Sequence, residues 1–103
     1  MDRIDKLKQF LNQSPNEAFL THALALEWIK IGNQEEALAC FESNKTHNPE
    51  YVGTYYHLAK LLESLNRNED AIAVYEAGIA IARKAADLHA LSELRAALED
   101  LTY

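Results

Sequence analysis

Few residues in this chain could do chemistry, and each has a simpler duty. Two pairs of adjacent acids, Glu35-Glu36 and Glu69-Asp70, are the arrangement a general acid and base would need. Both pairs fall in the first turns of expected helices, where negative charge complements the helix dipole. Cys40 is the only cysteine, so no disulfide framework exists. No histidine stands one helical turn from it, His47 being two turns away, and a thiol so placed fills core space. The chain has no glycine-rich phosphate loop, no His-Glu-x-x-His and no cysteine pair. No acid, base and nucleophile converge. The sequence therefore implies no enzyme, no catalytic residue, no metal and no cofactor.

A repeat positions these residues. Pro49 lies 34 residues after Pro15, and the same shift carries Leu24 to Leu58, Ala25 to Ala59 and Trp28 to Leu62. It also carries Ile31 to Leu65, Gly32 to Asn66, Glu35 to Glu69, Ala37 to Ala71 and Phe41 to Tyr75. Small and large apolar residues recurring at that period belong to an array of helical hairpins.

Composition bounds the function. The 103 residues suffice for one small domain, and 49% hydrophobic with 25% charged residues is ordinary for a folded chain. A net charge of −6 with scattered Lys and Arg argues against nucleic acid and against an anionic membrane surface as partners. The first residues alternate charges without an apolar run, and no segment reaches the roughly 18 apolar residues of a membrane span. A cytoplasmic location is expected.

Six helices follow from the periodicity. Asp2 caps the first, whose stripe is Ile4, Leu7, Phe10 and Leu11. Ser14-Pro15-Asn16-Glu17 reads as a capping box opening the second helix at about 15, and Gly32 ends it. That helix carries two apolar stripes: Ala23, Leu24, Trp28 and Ile31, then Phe19, Leu26 and Ile29 in line with His22. Asn33 or Gln34 opens the third helix, with Ala37, Leu38 and Phe41 inward. Pro49-Glu50 starts the fourth, Asn66 ends it, and Asn68 caps the fifth. Asp87 caps a last helix with Leu88, Leu91, Leu94, Leu98 and Leu101 on one face and charges on the other, as an end cap requires.

These residues resemble the tetratricopeptide repeat family. Its pattern W-x2-L-G-x2-Y, A-x3-F, P maps onto Leu24-Ala25, Trp28, Ala37, Phe41 and Pro49, with Thr21 where the leading aromatic belongs. The second copy supplies Tyr55, Leu58-Ala59, Leu62, Ala71 and Tyr75, with Arg83 at the proline place. The resemblance implies an all-α, right-handed solenoid of antiparallel helix pairs. Residues 1–103 would be one domain: a half-repeat helix at 2–13, repeats at 16–49 and 50–83, and a capping helix at 87–101. Capped at both ends, such a unit is expected to be free-standing. In strict register Ser92-Glu93 would take the place of Leu58-Ala59; a slip of two puts Leu94 there.

The resemblance also implies a concave groove lined by the first helix of each repeat. The lining residues would be Phe19, His22, Leu26 and Ile29, then Gly53, Tyr56, His57, Lys60 and Glu63. His89 would join His22 and His57 if the last helix has slipped. A clamp of lysines, asparagines and an arginine, used by some repeats to hold a chaperone's C-terminal carboxylate, is absent. Its places hold His22, Leu26 and His57, then Asp87 and Leu91 in strict register or His89 and Glu93 after the slip. The expected function is protein–protein interaction, with a peptide segment of a partner in the groove. One alternative is a homodimer formed through the apolar stripe, and another is a histidine-lined metal or anion site.

Overall fold

Among residues 2–103, which the computed structural model describes, there are six helices and no strand. They are α1 (Arg3–Gln13), α2 (Ala18–Lys30), α3 (Gln34–His47), α4 (Gly53–Ser64), α5 (Asn68–Lys84) and α6 (Leu88–Thr102). The chain divides into two compact units, Met1–Tyr51 with α1 to α3 and Val52–Tyr103 with α4 to α6. In the first, α2 packs against both α1 and α3; in the second, α5 packs against both α4 and α6.

Three helix ends share one backbone device. Gly32 (φ +82°), Asn66 (φ +61°) and Ala86 (φ +55°) each adopt the left-handed conformation after α2, α4 and α5. The following amide returns to a carbonyl five residues earlier: Asn33 to Trp28, Arg67 to Leu62 and Asp87 to Ala82, each at 2.9 Å. Glycine and asparagine tolerate that conformation, whereas alanine is strained in it.

The helix starts depart from expectation at three places. Ser14 does not open α2, because its amide is bonded to Phe10 O (3.1 Å) and its carbonyl accepts from Glu17 N (3.2 Å). Pro15 thus sits second in a closed turn, a position its fixed φ suits equally well. Glu17 becomes the cap, its carboxylate accepting from Leu20 N at 2.7 Å. The same turn recurs 34 residues on, with Tyr51 N bonded to Asn48 O, so α4 starts at Gly53 and not at Pro49. Arg67 takes the capping place of α5 in place of Asn68, and its guanidinium pairs with Asp70 at 2.9 Å. Asp2, Asn33 and Asp87 cap as expected, accepting from Asp5 N, Glu36 N and Ala90 N.

The repeat reappears as burial. Ala25 and Ala59, Ala37 and Ala71, and Phe41 and Tyr75 are all fully buried. In the first unit Leu7, Ala23 and Leu24 form a cluster closed by Ile4, Leu11, Leu20, Trp28 and Cys40. Cys40 is the core filler its sequence context suggests: burial, with Glu36 adding, pushes its thiol up to about 11. Three expected core residues are outside instead, with Phe10 55%, Ile31 64% and Leu88 74% exposed. Phe10 belongs to a helix packed chiefly on one neighbour, Ile31 sits in the turn beyond α2, and Leu88 is the first residue of α6.

Candidate functional site

The last helix decides where a site can form in the second unit. Leu94 is buried to 1% exposure while Ser92 and Glu93 are outside, so α6 takes the register slipped by two. That slip brings the start of α6 beside the start of α4. A pocket of about 370 Å³ opens there, lined by Tyr56 and His57 from α4 and by Asp87, His89, Ala90 and Glu93 from the start of α6, with Val52, Gly53 and Leu94 completing it.

The Tyr56 and His57 rings meet edge to face at 5.5 Å. Burial lowers the His57 imidazole below its usual 6.5, opposed in part by the charge of Glu93. His89 Nε2 lies 3.4 Å from Glu93 Oε1, one turn along α6. Asp87 Oδ1 receives Ala90 N–H at 3.1 Å, which fixes the carboxylate at the helix start.

Lys60 and Glu63 are engaged next door and do not line the pocket. Lys60 Nζ is 3.7 Å from Glu63 Oε2 and 5.8 Å from the centre of the Tyr56 ring. The same Glu63 oxygen accepts the hydroxyl of buried Tyr75. Glu63 is therefore a structural anchor, which sequence spacing alone could not reveal.

The first unit holds the other expected groove residues on α2. Phe19 is 61% and Ile29 39% exposed, with Leu26 half-buried between them. His22 is half-buried among aromatic rings, 5.9 Å from Phe41 and 5.4 Å from Tyr51 between centroids. Of the three histidines considered together, His57 and His89 share a pocket, and His22 lies in the other unit. Among the described residues no three His, Cys, Asp or Glu side chains gather as metal ligands. No described helix is long and apolar enough to cross a membrane.

Comparison with known proteins fixes the family. A tetratricopeptide repeat family model matches residues 52–84, the α4–α5 hairpin. The crystal structure of a tetratricopeptide repeat domain protein from Salinibacter ruber is 45% identical, over 84% of this chain and 96% of that one, with a TM-score of 0.81. This chain belongs to the tetratricopeptide repeat family. A solution structure of a Salinibacter ruber tetratricopeptide repeat domain protein agrees, at 46% identity over 84% of this chain and 88% of that one, with a TM-score of 0.81. A Bordetella parapertussis protein, 22% identical over 99% of this chain and 89% of that one, has the same fold with a TM-score of 0.83. No curated protein sequence matches the chain. The fold class is the all-α solenoid of tetratricopeptide repeat proteins, reached from the repeat period and shared with these structures.

Proposed function

We propose that this tetratricopeptide repeat protein works as an adaptor, holding a peptide segment of a partner protein against the first helices of its repeats. The family's general role is protein–protein interaction, and membership of it supports a protein partner for this chain. The observation carrying the finer reading is the pocket at the start of α4 and α6, where Tyr56 offers an aromatic anchor beside His57 and His89. Phe19, Leu26 and Ile29 on α2 offer an apolar surface of their own in the first unit. Affinity capture from a native lysate with wild-type and Tyr56→Ala baits tests this. A partner held only by wild type, whose contact site maps to α4 and α6 by hydrogen exchange, is the expected result. Equal capture by both baits would remove Tyr56 from the site.

Exposed Phe19 and Ile29 support a second reading, self-association through the α2 stripe. Sedimentation velocity of wild type beside Leu26→Asp distinguishes it: a dimer that dissociates in the variant supports self-association, and a monomer in both excludes it.

A further inference from the structure

The charges around the α4–α6 pocket are one-sided. Its lining contains the carboxylates of Asp87 and Glu93 and no lysine or arginine. Lys60, close by on α4, is outside the lining, and Glu63 at 3.7 Å offsets its charge. Burial holds His57 below 6.5, so at neutral pH its ring adds no positive charge to cancel the acids. His89 is exposed beside Glu93 and adds a cation only when protonated. An acidic ligand would thus meet two carboxylates and no lysine or arginine, the start of α6 being already complemented by Asp87. A basic one would find both charge and an aromatic wall, since Tyr56, with half-buried Val52 and Ala90, can cover an aliphatic stem while its head reaches the acids. The volume of about 370 Å³ is at the lower end for ligand pockets and suits one long side chain better than a folded element.

We propose that this pocket receives a lysine or arginine side chain of the partner segment, its stem along Tyr56 and Ala90 and its cation at Asp87 and Glu93. The proposal rests on the peptide-binding reading above and names the chemistry which that site selects. It predicts a basic partner segment for a chain of net charge −6.

The test uses immobilised full-length chain and pools of acetylated hexapeptides, randomised except at one position fixed as Arg, Lys, Gln or Glu. Three columns are compared: wild type, Asp87→Asn/Glu93→Gln, and the charge-matched Glu42→Gln/Glu76→Gln, whose exposed acids lie outside the pocket. Asparagine caps a helix as well as aspartate, so the pocket variant keeps α6, and a thermal melt matching wild type checks this. The expected result is at least fivefold greater retention of the Arg and Lys pools than of the Gln pool. That preference is lost in the pocket variant and kept in the charge-matched one. Equal loss in both variants would assign the preference to overall charge and overturn the proposal. Equal retention of all pools, or preference for Glu, would overturn it while leaving peptide binding intact. Retention of no pool above a blank column would remove the peptide-binding reading and the proposal together.

Discussion

Gly78 on α5 faces Tyr55 on α4 so closely that a β-carbon on the glycine would come within 2.5 Å of the tyrosine β-carbon. A methyl of Leu94 on α6 would be 3.2 Å away. The positions equivalent by the 34-residue repeat are Asn44 and Thr21, both buried. One repeat combines a large residue with none, and the other combines two of middle size. The missing aromatic at Thr21 thus has a counterpart in the side chain that Asn44 supplies and Gly78 lacks.

Gly78→Ala should destabilise the fold in spite of alanine's better helix propensity. The propensity gain is about 1 kcal/mol. The clash involves the rigid β-carbon of Tyr55, so α4 and α5 must separate, and overpacking of this kind costs about 1–3 kcal/mol or more. A net loss of about 1–2 kcal/mol in urea denaturation is expected; an unchanged or raised midpoint would mean that the hairpin adjusts without cost.

Ala86 offers the opposite case. It is held at φ +55° after α5, a conformation that costs an L-residue about 1–2 kcal/mol. Ala86→Gly should therefore raise stability by about 1 kcal/mol, less the added freedom of the unfolded chain. Gly32→Ala, with φ +82° and open space around the new β-carbon, should lower it by a similar amount through backbone strain alone. Thermal melts of the two variants should move in opposite directions from wild type.

The sequence carried some of these features openly and hid others. Gly32 and Asn66 were readable as helix ends because only a few residue types tolerate positive φ. Ala86 was not, since alanine marks no turn, and its conformation is set by the bond from Asp87 N to Ala82 O. Pro15 and Pro49 announced a change of direction, but proline fits the second place of a turn as well as the first of a helix. For the candidate site, Tyr56 and His57 were legible from the repeat register and the family groove. Asp87 and Glu93 are legible only as occupants of clamp positions in two alternative registers of α6, between which the packing of Leu94 decides.

Asn44 should prove a costly residue to remove from the first unit. It is 1% exposed, and its amide donates to Ala18 O at 3.1 Å while its oxygen accepts from Asn48 Nδ2 at 2.9 Å. Asn48 in turn donates to Asn16 O at 2.8 Å, so the two asparagines fasten α3 to the start of α2. Asn44→Ala deletes the inner link and leaves the Ala18 carbonyl without that donor, a loss of about 2 kcal/mol. Asn48→Ala, at the half-buried end, should cost about 1 kcal/mol. Hydrogen exchange should show the added opening in α2 and α3; loss spread evenly over all six helices would contradict a local fastening.

High pH should weaken the second unit through Tyr75. This tyrosine is fully buried and donates its hydroxyl to Glu63. Burial first, then the bond to Glu63 and its charge, raise the Tyr75 pKa well above the ordinary 10.0. A phenol with a raised pKa in the fold keeps its proton there when the unfolded chain has already lost one. Its contribution is therefore complete below pH 10 and declines as pH rises above 10, by about 1.4 kcal/mol per pH unit. Tyr75→Phe should remove that slope and, at neutral pH, cost about 2 kcal/mol for the lost bond to a carboxylate. Urea midpoints from pH 8 to 11 for wild type and Tyr75→Phe provide the check. Parallel decline in both would place the alkaline sensitivity elsewhere, with Tyr51 and Tyr55, whose pKa values burial also raises, the next to test.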